Sequence, residues 1–312
     1  MSTDPLDALR GARVLLTGAT GFVGRRVLER LQGLGVDPIA VSRHEPPSDL
    51  ADAATWRRVD LADAADARRL VENERPEIVL HLASRVAGAR DLDLVLPTLR
   101  DNLASTVHLL DGFARLGDAG TRFVQVGSLE EPDDPADSVP SSPYAASKAA
   151  ASAYCDMFHR LWATPTVVAR VFMVYGPGRQ DERKLVPYVI RELLAGRRPS
   201  LSSGTRPVDW VFVDDVAEGL LRLAVADGVA GRRVDLGRGE LTTVAEVVRA
   251  IHRHLTPAEP PSFGGREDRR AEQVRRADVE ATRALLGWAP TVDLEDGLER
   301  AIAWFRAHPR AL

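Results

Sequence analysis

The chain predicts an α/β protein, a doubly wound parallel sheet with helices on both faces, joined to a smaller C-terminal lobe. Short apolar runs alternate with amphipathic stretches from Val14 to Gly176, the pattern that a parallel sheet with crossover helices leaves in a sequence. A glycine-rich turn separates the first apolar run from the first amphipathic one. After Gly176 the alternation loosens and helical patterns dominate. With 312 residues the chain is also longer than one hydrophobic core comfortably fills.

The elements follow in order. "RVLLTG" is the first strand, and "FVGRRVLERLQGLG" is a helix closed by glycine. "DPIAVSR" is a second strand. A less regular strand lies near "RRVDL", the helix "ADARRLVENERP" follows, and "EIVLHLAS" is a third clear strand. "TLRDNLASTVHLLDGFARLG" reads as one long helix and "RFVQVGS" as the next strand. "SPYAASKAAASAYCDMFHRLW" is a helix with Ser142 as N-cap and Pro143 at its first position. "TVVARVFMVYGP" reads as a single further strand. Beyond Gly176, one long segment mixes loop with one helix. "VDWVFVDDVAEGLLRLAVA" is a strand and helix expected to return to the main sheet. "LTTVAEVVRAIHRHL" and "ADVEATRALLGW" are helices joined by a Pro/Gly/Arg-rich segment.

Composition narrows the function classes. The chain is 45% hydrophobic and 28% charged with a net charge of −4, so the basic face of a nucleic-acid binder is not expected. The single cysteine, Cys155, excludes a disulfide within the chain, points to a cytoplasmic enzyme, and sits in a helix as a packing residue. The opening "MSTDPLDALRGAR" has no apolar signal-peptide core, and no window approaches the ~18 apolar residues of a membrane span. No metal site is expected.

The glycine turn is "TGATGFVG". Gly18, Gly21 and Gly24 stand at G-x-x-G-x-x-G spacing between a strand and a helix. Gly18 permits the tight turn, Gly21 lets the backbone approach a pyrophosphate, and Gly24 lets the helix pack on the strand. Amides at the helix N-terminus then receive the negative charge, the mark of a Rossmann dinucleotide site. The second strand ends beside the adenosine ribose, where a carboxylate would hold the 2′-hydroxyl of NAD. Here the residues are Ser42, Arg43 and His44. A cation in place of the acid favours a 2′-phosphate, hence NADP, with NAD as the alternative. Asp60 and Leu61 end the next strand and would contact adenine, and Asp60 would equally serve as a helix cap.

Tyr144 and Lys148 lie four apart and share one face of a helix. A free tyrosine, with a pKa of about 10, is a poor acid-base group at neutral pH. A neighbouring ammonium and an oxidised nicotinamide would stabilise its phenolate. Ser128, at the end of a strand, would hydrogen-bond the substrate oxygen whose charge changes.

At these residues the chain resembles the extended short-chain dehydrogenase/reductases. "TGATGFVG", "HLAS", "VGS", "YAASK" and "RVFMVYGPG" carry the likeness, and "WVFVDDVAEGL" with "LLGWAPTVDLEDGLERAIAWF" resembles the branch containing nucleotide-sugar epimerases and dehydratases. The resemblance implies catalytic roles for Ser128, Tyr144 and Lys148. It implies cofactor contacts at Gly18, Thr20, Gly21, Phe22, Val23, Ser42, Arg43, His44, Asp60, Leu61, Leu82, Ala83, Ser84, Asn102, Tyr144, Lys148, Val171 and Val174, with Lys148 holding the cofactor ribose. It implies substrate contacts at Val86, Ser128, Glu130, Met173, Lys184, Leu185, Arg206 and Arg266, with Arg269 a second candidate for the diphosphate. It implies a dinucleotide domain of residues 1–175 and 207–237 and a sugar-nucleotide lobe of 176–206 and 238–312. A homodimer through the long helix and the Tyr144 helix is also implied, with the alanines from Ala145 to Ala153 allowing close approach.

The chain departs from the family pattern at Met173, where asparagine is usual, and at Val208, where arginine precedes the aspartate. The interval from Ser128 to Tyr144 is short, which predicts an unusual, open substrate pocket. "GSLEE" resembles the signature of 4-keto-6-deoxysugar reductases, while Ser128-Leu129-Glu130 also resembles the dehydratase pattern. The leading expectation is therefore an NADP-dependent reductase of a nucleotide-linked 4-keto-6-deoxysugar. The alternative is an epimerase or 4,6-dehydratase that retains its cofactor. A non-catalytic dinucleotide sensor is a remote third reading, which the intact Ser/Tyr/Lys set disfavours.

Overall fold

The computed structural model describes residues 4–117, 120–132, 139–255, 261–268 and 273–309. Its strands are β1 (Val14–Thr17), β2 (Ile39–Ser42), β3 (Thr55–Arg58), β4 (Ile78–His81), β5 (Arg122–Ser128), β6 (Thr166–Val171), β7 (Met173–Tyr175), β8 (Pro207–Phe212), β9 (Arg233–Leu236) and β10 (Leu241–Thr243). The helices include α1 (Phe22–Gly33), α2 (Ala64–Glu74), α3 (Val95–Thr98), α4 (Ser105–Ala114), α5 (Pro143–Trp162), α6 (Leu185–Leu194) and α7 (Val213–Val225). The last three are α8 (Val244–Leu255), α9 (Val279–Leu286) and α10 (Leu294–Ala307).

Seven parallel strands form the central sheet in the order β3-β2-β1-β4-β5-β6-β9. Every residue of β1 and β4 is buried, as expected of strands covered on both faces. One face packs on α1 and α7 through Leu16, Val27, Leu80, Val216 and Leu220. The other packs on α2, α4 and α5 through Leu15, Val79, Leu109, Phe123 and Cys155. Successive strands run outward in opposite directions from β1 and β4, which opens a crevice beyond their C-terminal ends. A second core, with Tyr175, Val189, Phe212, Ile251 and Phe305 at its centre, lies beneath a three-stranded sheet in the order β10-β8-β7.

Four features differ from the sequence reading. "TVVARVFMVYGP" is two strands: β6 ends in the main sheet, Phe172 donates a last bond to the Leu236 carbonyl (3.1 Å), and β7 starts the small sheet beside β8. The strand "VDWVFV" does not return to the main sheet, because Val208, Trp210 and Phe212 face the second core; only α7 after it returns. The seventh place goes to β9, whose four residues "RVDL" are too short and too charged to read as a strand. The long helix before β5 is interrupted by a π-helical stretch, Leu99–Ala104. No helix among the described residues is long and apolar enough to cross a membrane.

Candidate active site

The glycine turn closes β1 onto α1. Gly18 has φ +72°, and a Cβ there would lie 2.7 Å from the Ala83 amide nitrogen. A side chain at Gly24 would overlap the Gly18 carbonyl, so α1 could not pack so close to β1. Gly21 is the N-cap of α1 and offers no capping side chain, and the first turn holds no acid. Uncapped amides at a helix N-terminus, facing the crevice at β1 and β4, fit a pyrophosphate. Thr20 and Val23 are half-buried in this turn, and the Phe22 ring lies 3.4 Å from where a Gly178 side chain would begin. Beneath it, the Thr17 hydroxyl bonds both the Ala83 amide (3.0 Å) and Nδ1 of His81 (2.7 Å). Burial, with Lys148 nearby, holds the His81 imidazole down to about 3, so it is neutral. Leu82, Ala83 and Ser84 follow β4 toward the crevice.

At the outer end, the Ser42 hydroxyl accepts from the His44 amide (3.2 Å), while Arg43 pairs with Asp101 (3.2 Å). Asp101 also receives Arg85 (2.7 Å) and Arg100 (3.0 Å), and Asp60 pairs with Arg100. Asp60 accepts from the Ala62 amide but does not cap α2; the cap is Asp63, which lies at the helix start. Leu61 is buried.

The three residues chosen for chemistry converge. Ser142 caps α5 by accepting from the Ala145 amide (3.1 Å), with Pro143 following, as the sequence predicts. That start places Tyr144 and Lys148, both buried, under the end of β5. Ser128 hydrogen-bonds the Tyr144 phenol. The Lys148 ammonium donates to the Val126 carbonyl (2.8 Å) and lies 6.0 Å from the Tyr144 ring centre. Burial lowers Lys148 to about 8, with Glu131 working against the shift. The protein's own groups raise the phenol, burial first, with Glu130 adding to the rise and only the Ser128 bond opposing them, while the expected lowering also calls on the charge of an oxidised nicotinamide. A phenol removed from water resists ionisation unless a cation reaches it.

Asn102 lies within the π-helical stretch and is buried. It accepts from Ser84 (3.1 Å) and the Arg85 amide (2.7 Å), and donates to the Arg85 carbonyl (3.2 Å) and to Ser147 (2.9 Å) on the Tyr144 helix. It thus ties the end of β4 to α5.

On the substrate side, Glu130 is half-buried and its amide donates to the Ser128 hydroxyl (3.2 Å). The Val171 carbonyl receives the Leu129 amide (3.0 Å), Met173 and Val174 are half-buried, and Val86 is exposed. Lys184 is the N-cap residue and Leu185 the first residue of α6. Arg206 and Arg266 are held within the lobe: Arg206 donates to the Gln273 carbonyl (3.3 Å), and Arg266 lies over the Tyr188 ring (5.4 Å) and bonds Ser200 (3.2 Å). Arg269 and the loop of residues 133–138, on which the open-pocket expectation rests, fall outside the described residues. Sequence reasoning missed Arg275, whose guanidinium donates to the carbonyls of Leu129 (3.2 Å) and Glu131 (2.9 Å) and pins the Ser128 turn. Nothing in its irregular segment signals that contact.

The model of the NAD-dependent epimerase/dehydratase family matches residues 14–237. The chain is 32% identical over 319 residues to a UDP-glucose 4-epimerase of Mycolicibacterium smegmatis, covering 94% of this chain and 98% of that one. It is 33% identical over 320 residues to a dTDP-glucose 4,6-dehydratase of Streptomyces griseus, covering 95% and 94%. An epimerase structure from Methanothermobacter thermautotrophicus matches it with a TM-score of 0.86 at 26% identity, covering 98% of this chain and 95% of that one. The chain belongs to the NAD-dependent epimerase/dehydratase family, within the extended short-chain dehydrogenase/reductases.

Proposed function

We propose that the protein inverts C4 of a nucleotide-linked hexose by oxidising the C4 hydroxyl and returning the hydride to the opposite face, with the dinucleotide retained throughout. The reading is carried by the buried Ser128–Tyr144–Lys148 cluster at the end of β5, beside the crevice at β1 and β4. Near-full-length similarity to a UDP-glucose 4-epimerase supports it. The lobe of residues 176–206 and 238–312 would take the nucleoside diphosphate, with Lys184, Leu185, Arg206 and Arg266 toward it.

A bound dinucleotide would supply a hydride acceptor and donor next to this cluster. Tyr144 takes the O4 proton as C4 loses hydride, and gives that proton back when C4 is reduced. Ser128 holds O4 by a hydrogen bond while its charge changes, and Lys148 keeps a cation 6.0 Å from the Tyr144 ring centre. Asn102 keeps the Tyr144 helix in register with the end of β4. Dehydration across C5 and C6 asks for a further base and a further acid. Leu129 is apolar and buried and Glu131 holds the Ser128 amide, so within this turn Glu130 is left for two roles.

A second reading is reduction of a 4-keto-6-deoxysugar nucleotide. Ser42-Arg43-His44 at the end of β2 favours it, since a 2′-phosphate suits a cation and NADPH suits net reduction. We also propose a homodimer through α3, α4 and α5.

One set of assays decides. The protein is incubated with UDP- and dTDP-linked hexoses without added cofactor, and the products are separated. C4 epimers with no net redox change are expected, and Tyr144→Phe should slow turnover at least ~10²-fold with dinucleotide binding intact. NADPH consumption on a 4-keto-6-deoxyhexose nucleotide, without epimerisation, would replace this reading with the reductase; a 4-keto-6-deoxy product would replace it with the dehydratase. NADP is the cofactor we propose under either reading, from Ser42-Arg43-His44, so calorimetry should show tighter binding of NADP than NAD, reversed by Arg43→Asp. Tighter NAD binding by the unaltered protein overturns the cofactor assignment.

A further inference from the structure

Gly127 to Glu131 close into a small ring. The Ser128 amide donates to Oε1 of Glu131 (2.7 Å), and the Glu131 amide donates back to the Ser128 carbonyl (3.1 Å). The Glu131 side chain folds inward, so the residue is 2% exposed. Gly127 is what makes room for it, since a Cβ at that position would meet Oε1 at 2.6 Å and Val168 at 2.9 Å. Arg275 clamps the ring from outside through the carbonyls of Leu129 and Glu131. A buried carboxylate on the turn that carries Ser128, facing α5, does more than fill space.

We infer that Glu131 is the positioning residue of the catalytic turn, fixing Ser128 against Tyr144 and presenting a negative charge to Lys148. The inference rests on the reading of Ser128, Tyr144 and Lys148 as the reacting set. The groups that face the carboxylate are Lys148, Tyr144 and Cys155, all on α5, with Glu130 on its own turn and Arg275 bonded to its backbone. His81, on β4, is close enough to feel the charge of Lys148. Glu131 raises both Lys148 and Tyr144. Removing its charge lowers both groups, so the alkaline limb of the pH–rate curve, set by Lys148, moves to lower pH. A purely structural defect lowers the height of that curve and leaves its limbs in place.

Three variants separate the roles. Glu131→Gln keeps an oxygen for the Ser128 amide and loses the charge. Glu131→Ala loses both, and Gly127→Ala evicts the carboxylate without altering residue 131. Each is measured for NADP and NAD binding, for the pH dependence of kcat and KM on the nucleotide sugar that the unaltered protein turns over, and for titration of the Tyr144 phenol by ultraviolet difference against Tyr144→Phe. The expected result for Glu131→Gln is kcat within about tenfold and an alkaline limb moved by about one pH unit toward acid. Glu131→Ala and Gly127→Ala should lose about 10²-fold in kcat with little change in KM, as misplacement of a reacting group does. An unmoved alkaline limb and an unmoved phenol in Glu131→Gln, or normal kcat in the other two, overturn the inference. Should Glu131→Ala or Gly127→Ala fail to bind dinucleotide, Glu131→Gln still decides. If the unaltered protein acts on no nucleotide sugar, the proposed function fails, while the phenol titration continues to test Glu131.

Discussion

Lys148 places chemistry and stability in opposition. Its folded value of about 8 lies below the ordinary 10.5 of the unfolded chain, and burial is the cause. Between those values the unfolded chain binds more protons than the folded one, so this residue's contribution to stability improves as pH rises across that window, by up to roughly 3 kcal/mol. Turnover needs the ammonium and should fall above about pH 8. Urea unfolding at about pH 7.5 and about pH 10, compared with Lys148→Met, checks the first half of this expectation, and the pH–rate profile checks the second. Equal pH dependence of stability in both proteins would contradict it. None of this opposition is visible in Tyr-x-x-x-Lys, because spacing reports a shared helix face and says nothing of burial. The same limit applies to where the ammonium goes: the sequence offers the lysine as a neighbour of the phenol, while the structure sends it to the Val126 carbonyl.

At the scale of elements, local chemistry was legible and distant pairing was not. The start of α5 follows from Ser142 and Pro143, and the β1–α1 turn from three glycines, because each signal lies within a few residues of what it shapes. The π-helical stretch at Leu99–Ala104 has no such signal. It arises where Asn102 reaches Ser84, Arg85 and Ser147 together, a constraint set by β4 and α5. The proposed dimer belongs to this scale too. Leu92 is 86% and Leu96 74% exposed, beside an apolar groove of about 640 Å³ between the long helix and the start of α5. The proposed dimer would cover these leucines, two copies of the same face making a self-complementary interface. Leu96→Asp should convert a sedimenting dimer into a monomer with little loss of monomer fold. A monomeric unaltered protein would refute the interface.

For the whole molecule, the class and the glycine-loop domain were readable early, yet the division into two regions came out more entangled than the sequence reading allowed. β7 continues β6 after a single residue, α7 returns to the main sheet from the small one, and β9 leads directly toward β10. Asp209, on β8, binds the amides of Arg238 (2.7 Å), Gly239 (2.8 Å) and Ala277 (2.9 Å), and so fastens the small sheet to the segments around β9 and α9. Calorimetry should therefore show one cooperative melting transition, raised as a unit by dinucleotide; two separable transitions would show the cores to be independent. The passage of one strand into two sheets at Phe172 has a consequence for how such chains diversify. A lobe threaded through the first sheet at several points cannot be exchanged between relatives as a cassette, because every junction interrupts a core. On such a scaffold a change of substrate is expected to come from side chains replaced in place.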